Sequence, residues 1–91
     1  MIKMKVSFHA TIREAAGVPG TDVEADDIPS LLLALRDKFG ERLYRLIAKD
    51  GRLRDDVVVL VNGQNIGHSG GIEAKMTPDA EVAIFPPVSG G

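Results

Sequence analysis

The last strand-like run of this chain limits every fold open to it. Glu81-Val82-Ala83-Ile84-Phe85 has strand composition and runs directly into Pro86-Pro87. Proline has a fixed φ and no N–H, so neither residue can continue a central strand. Any sheet that contains residues 81–85 stops at Phe85, and the chain leaves it as a stiffened, extended segment. Beyond the prolines come Val88, Ser89, Gly90 and Gly91. Small residues collect at frayed ends, and Gly-Gly alone fits that description. A strand, a Pro-Pro spacer and a final Gly-Gly form a narrower pattern, because residues without a Cβ can enter a channel too thin for others, carboxylate foremost. We expect a folded domain over residues 1–85 and an extended, flexible C-terminal tail over 86–91, with the domain presenting the Gly91 carboxylate.

The other elements emerge from periodicity. Ile2, Met4, Val6, Phe8 and Ala10 alternate with Lys3, Lys5, Ser7 and His9, the pattern of a half-buried strand, and His9 falls on its polar, solvated face. Thr11-Ile12-Arg13-Glu14 fits a capping box opening a short helix that Gly17 stops. After a turn at Val18-Pro19-Gly20, Thr21–Ala25 is expected to pair antiparallel with the first strand. Asp27 is placed to cap a helix with Pro29 in its first turn. Leu31, Leu32, Leu35 and Phe39 share one face of that helix, Leu33 faces away, and Gly40 ends it. Leu43, Leu46 and Ile47 predict a second short helix over 41–48. A turn at Lys49-Asp50-Gly51 comes next, and then a charged, solvated loop over Arg52–Asp56.

Val57-Val58-Val59-Leu60-Val61 is apolar on both faces and β-branched, which reads as a central strand, and Asn62-Gly63 marks a tight turn after it. Gln64–Met76 shows no period. Within it, Gly67-His68-Ser69-Gly70-Gly71 has neither the Gly-Lys-Ser/Thr ending of a phosphate loop nor a dinucleotide fingerprint, and reads as a loop. Thr77-Pro78-Asp79-Ala80 turns the chain into the last strand. Strands on both sides of one main helix predict an α+β roll, a mixed sheet packed on that helix. The first and last strands can pair parallel at its centre, because the chain between them is long enough for a crossover. One helix covers one face of such a sheet, and the other would then offer an apolar patch to a partner.

Composition removes several kinds of chemistry. The 91 residues contain no cysteine, which excludes disulfides, thiolate metal sites, a cysteine nucleophile and a cysteine persulfide. His9 and His68 lack metal-ligand spacing, so no metal is expected. A net charge of -2, with five lysines and six arginines scattered along the chain, argues against a nucleic-acid partner. No apolar run approaches a membrane span, and the start of the chain has no signal-type apolar region, so we expect a cytoplasmic protein.

These segments together resemble the ubiquitin-like β-grasp sulfur carriers, and most closely the molybdopterin synthase small subunit and its archaeal modifier relatives. Phe85-Pro86-Pro87-Val88-Ser89-Gly90-Gly91 is the most specific match. Asp50-Gly51-Arg52-Leu53-Arg54-Asp55 leading into Val59-Leu60-Val61-Asn62-Gly63 looks like the longer archaeal members, and Thr11–Gly17 matches the first loop of the family. The segment Gly67–Lys75 departs from the shorter bacterial form. The resemblance implies a β-grasp fold and a non-catalytic, sulfur-carrying subunit. It implies that a ubiquitin-activating-type enzyme, using its own ATP, adenylates Gly91, that a sulfur donor converts the adenylate to a thiocarboxylate, and that the molybdopterin synthase large subunit receives the tail. In that scheme Pro86, Pro87, Val88, Ser89 and Gly90 present the terminus and Phe85 docks the partner. The chain binds no cofactor itself, since it lacks a phosphate-cradling motif. The same activated carboxylate also serves a protein modifier joined to target lysines through Gly91, or a carrier for tRNA thiolation or thiazole synthesis. A β-grasp interaction domain with an incidental Gly-Gly end is the remaining alternative.

Overall fold

A computed structural model describes residues 2–66 and 76–87. The alternation at the start of the chain becomes β1 (Ile2–Phe8), with Met4, Val6 and Phe8 buried and Lys3 and Lys5 exposed. The strand is shorter than its sequence pattern. Ala10, expected as its last inward residue, instead opens α1 (Ala10–Ala16) with a positive φ of 52°. The predicted capping box is absent: His9 is the N-cap and no side chain caps the helix. The amide of Phe8 donates to the Pro19 carbonyl at 2.9 Å, which closes β1 there, and burial of Ile12 sets the helix phase. Thr11 therefore lies inside the first turn rather than ahead of it. Gly17 ends α1 as predicted, in the left-handed region at φ 79°, with its N–H donating to the Arg13 carbonyl.

β2 (Gly20–Ala25) pairs antiparallel with β1, setting Met4 opposite Val23 and Ile2 opposite Ala25. α2 (Ile28–Phe39) is the main helix. The Asp27 carboxylate accepts from the Ser30 amide at 2.9 Å and from the Ser30 hydroxyl, while the Asp27 amide donates back to that hydroxyl. Ile28, Leu31, Leu32 and Leu35 are buried, and Leu33 points outward, as the 3.6-residue period requires. Gly40 separates α2 from α3 (Glu41–Ile47), in which Leu43 and Ile47 are buried. The predicted charged loop after it is partly regular. β3 (Ala48–Lys49) and β4 (Arg52–Leu53) form a two-strand hairpin, and Leu53 is buried. Asp50 and Gly51, at φ 55° and 80°, make the tight turn that an Asp-Gly pair favours, and Leu53 anchors the otherwise charged segment.

β5 (Val58–Val61), β6 (Gln64–Asn65) and β7 (Ala80–Phe85) complete a five-stranded sheet in the order β2-β1-β7-β5-β6. β6 lies in a stretch that shows no period in the sequence. It forms because Asn62 and Gly63, both at positive φ, fold residues 64–65 back onto β5. β5 is thereby paired on both sides, as its two apolar faces require. β1 and β7 run parallel at the centre, with Val6 beside Val82 and Phe8 beside Ile84. Inward residues of the sheet pack with Ile12, Leu31, Leu32, Leu35, Leu43 and Ile47 in one core, and Phe39 meets Phe8 edge-on at 5.3 Å. This is the predicted mixed sheet on one main helix. The loop Gly67–Gly71 and the tail residues Val88, Ser89, Gly90 and Gly91 lie outside the described residues. Among the described residues, no helix is long and apolar enough to cross a membrane.

The packing and the helix cap each lead to a stability prediction. Leu35 is fully buried, and Leu35→Ala should cost about 2–5 kcal/mol in urea unfolding. The Ser30 hydroxyl and amide hold the Asp27 carboxyl below its ordinary value of 3.8. A depressed folded-state pKa contributes stability above the unfolded value, and that contribution fades as pH falls through the folded one. Asp27→Ala should therefore cost about 0.5–2 kcal/mol at neutral pH. Unfolding at a series of pH values should show the gap from wild type narrowing as pH falls below 3.8.

Candidate functional site

Alternation along β7 sends Ala80, Val82 and Ile84 into the core and Glu81, Ala83 and Phe85 to the opposite face. Strand register extends these outward residues into rows. Lys5 stands between Asp22 of β2 and Glu81 of β7, all three exposed. One row nearer the end of β7, Ser7, Ala83 and Leu60 lie side by side, each half-buried. In the last row Phe85 has Val58 on one flank. The face thus changes from alternating charge, where neighbours of opposite sign attract across strands, to apolar surface where the chain leaves the sheet. A shallow groove of about 420 Å³ runs over the boundary, touching Lys5, Ser7, Leu60, Glu81 and Ala83. A depression of about 620 Å³ beside the β3–β4 hairpin is larger. Its acidic and basic residues balance, and Arg54 is occupied, donating to both carboxylate oxygens of Asp56 and to the Arg45 carbonyl, each at 3.1 Å.

The other flank of Phe85 holds a residue assigned otherwise by the sequence. His9 is not a solvated strand residue. Its ring lies flat on that of Phe85, with centroids 4.2 Å apart and planes 14° from parallel, and its Nε2 is 3.1 Å from the Ser7 hydroxyl oxygen. Polar alternation placed His9 on the correct face, but only the parallel register brings it to Phe85. Phe85, predicted to dock a partner, sits half-buried at the end of the apolar rows. Pro86 is half-buried and Pro87 exposed, both outside the strand as predicted. Val88, Ser89, Gly90 and Gly91 cannot be placed relative to this surface, being outside the described residues. Among the described residues, no group of three histidine, cysteine or acidic side chains could hold a metal ion.

A mixed sheet gripping one main helix, with the last strand ending among half-buried apolar residues on the outward face, is the ubiquitin-like β-grasp arrangement. The chain belongs to the ThiS family, whose family model matches residues 6–91. It is 31% identical over 93 residues to small archaeal modifier protein 3 of Haloferax volcanii, covering 99% of this chain and 100% of that one. It is 36% identical over 90 residues to the molybdopterin synthase sulfur carrier subunit of Escherichia coli, covering 97% and 99%. The solution structure of small archaeal modifier protein 1 from Methanosarcina acetivorans superposes with a TM-score of 0.82 at 35% identity, covering 100% of this chain and 98% of that one. The protein is thus a member of the sulfur-carrier and ubiquitin-like modifier group.

The charge gradient on the open face yields a docking prediction. Phe85→Ala should weaken binding to a partner protein more than Lys3→Ala, because Lys3 lies opposite Glu24 at the charged end of the face. Titration calorimetry with each variant measures this, and equal losses would argue against docking through the apolar end.

Proposed function

We propose that this protein is a sulfur carrier whose C-terminal Gly91 is adenylated by a partner enzyme and then converted to a thiocarboxylate. As the small subunit of a molybdopterin synthase it would donate that sulfur to a pterin precursor in the cytoplasm. The observation that carries the reading is the end of β7. The strand stops at Phe85 in the apolar part of the outward face, and in the sequence Pro86-Pro87 leads from it to Gly90-Gly91. The family membership and the similarity to a sulfur carrier subunit support the same reading.

The chemistry is set by the groups the chain has and lacks. An α-carboxyl with a pKa of about 3.3–3.7 is ionised at neutral pH. One of its oxygens attacks the α-phosphorus of ATP, pyrophosphate leaves, and an acyl-adenylate remains. Hydrosulfide released by the donor then attacks the carbonyl carbon, AMP departs, and the terminal thiocarboxylate remains. The sequence has no phosphate-cradling motif, so ATP is held by the activating partner. It also has no cysteine, so covalently carried sulfur resides on Gly91. Residues 86–91, extended at about 3.1–3.6 Å each, reach roughly 19–22 Å. That length takes Gly91 into the large subunit while the folded body docks at the rim.

A second reading is favoured by the similarity to an archaeal modifier over nearly the whole chain. In it, a lysine amine of a target protein attacks the same adenylate and forms an isopeptide bond. Intact-mass measurement of the native protein separates the two: the carrier has one terminal oxygen replaced by sulfur, whereas a modifier leaves its C-terminal tryptic peptide, residues 76–91, joined through Gly91 to target lysines in peptide maps. Abundant conjugates without thiocarboxylate would overturn the carrier reading. Removing Gly91, or adding residues after it, should abolish adenylation and leave the fold intact. Unchanged adenylation in either variant would refute the role of the terminus.

A further inference from the structure

We propose that His9 is a positioning residue for the C-terminal tail: its ring, stacked on Phe85, fixes the direction in which the tail leaves the sheet and so delivers the carboxylate to the activating partner's ATP in reactive orientation. The proposal rests on the terminal-activation reading above. Strand register brings the two rings together. Phe8 lies beside Ile84 in the parallel pair, and one step further along both strands sets His9 beside Phe85. Phe85 is also the last residue of the ladder. Its backbone neighbour on the other side is Val58, and Pro86 has no N–H with which to continue. Beside the pairing with Val58 and the fixed φ of Pro86, packing of the Phe85 side chain orients the root of the tail.

His9 is built to supply that packing. Its carbonyl accepts from the amides of Ile12 and Arg13 at 3.1 and 3.4 Å, which fixes its backbone at the start of α1. Ala10 comes next, in the left-handed region at φ 52°, a conformation uncommon for a non-glycine residue, and this turns the chain off β1 immediately after His9. On the side-chain end, Nε2 lies within hydrogen-bond distance of the Ser7 hydroxyl. The imidazole is thus held from two directions and presents its flat face to Phe85, an arrangement favourable for aromatic pairs. Although it occupies the N-cap of α1, its side chain makes no capping hydrogen bond, so helix capping does not account for its placement.

A stiff spacer carries the orientation of its root outward. Over the two prolines, about 6–7 Å, a tilt of about 20° at Phe85 would move the end of the spacer by roughly 2 Å. A misplacement of about 1 Å at a reacting group can already cost about a hundredfold in rate. Part of that error is absorbed by the glycines and by the partner's channel, so a smaller loss is expected.

The test uses the full chain with its activating enzyme and monitors ATP–pyrophosphate exchange. His9→Phe keeps a flat ring and removes the polar atoms. His9→Asn keeps a polar group and removes the ring, and His9→Ala removes both. The Asn and Ala variants should lower kcat about tenfold, with KM for the carrier within about twofold and an unchanged amide spectrum, while the Phe variant stays within about threefold of wild-type kcat. A rise in KM at constant kcat would make His9 a direct partner contact and overturn the proposal. So would an equal loss in His9→Phe, or unchanged kcat in His9→Ala. Relaxation of the Phe85 ring in the free protein provides the second readout. Its order should fall in the Asn and Ala variants and persist in His9→Phe, and unchanged order in His9→Ala overturns the proposal without any enzyme present. Absence of exchange with the wild-type chain would instead count against terminal activation, while the ring measurement would still decide the role of the stack.

Discussion

Pairing Phe8 beside Ile84 in parallel joins the first strand of the chain to the last, and the rest of the molecule is arranged to make that pairing possible. Parallel neighbours cannot be linked by a tight turn, so the chain must cross over between them. Residues 9–79 perform this crossover, and along the way they lay down α2, α3 and the other sheet strands. The pairing therefore closes only after a long excursion. Its loop-closure entropy is offset by the core assembled around it, in which Met4, Val6, Phe8, Val82 and Ile84 meet Leu32 and Leu35. Local elements such as α2, capped by Asp27 and Ser30, need none of this to begin forming.

The same crossover sets which sheet face meets the helices. Among the described residues, the helices share one core with the inward residues of the sheet, and the outward rows take no part in it. On those rows the sequence grades from the Asp22–Lys5–Glu81 set to Leu60, Ala83, Val58 and Phe85. A partner that buries the apolar end gains from desolvation, while one seated in the opposite direction would strip water from three charges. The face therefore encodes direction as well as affinity, and the favoured direction sets the partner against the place where the tail departs.

Legibility in the sequence tracked the range of the interactions. The first strand, the Asp27 cap, the Leu31–Leu35 stripe and the Asn62-Gly63 turn were all readable, because each depends on residues within a few positions. The two-faced apolar run at 57–61 even disclosed that β5 has neighbours on both sides. Failures arose where a distant contact outweighed a local preference. Thr11 and Glu14 are suited to a capping box, but burial of Ile12 and closure of β1 at Phe8 start the helix earlier. Arg52–Leu53 and Gln64–Asn65 are too short to show a period and become strands only because tight turns fold them onto partners. His9 illustrates the limit most clearly. Its face was correct, yet its neighbour Phe85 lies 76 positions away and is brought in by register alone. The tail is read from what its residues lack, namely N–H groups, side chains and a cysteine, and Val88–Gly91 lie outside the described residues.

Pro86 and Pro87 then have a second consequence beyond stiffness. β7 is flanked by β1 and β5, and both flanks finish at its level: β1 gives way to α1 after Phe8, and β5 begins at Val58 opposite Phe85. A strand-forming sequence after Phe85 would project past both neighbours with its backbone donors and acceptors unpaired, a template for pairing with other chains. Two prolines remove two of those donors and exclude ladder geometry where both flanking strands give out. The element proposed to present the tail to a partner is therefore also the one that keeps the centre of the sheet from acquiring a sticky end.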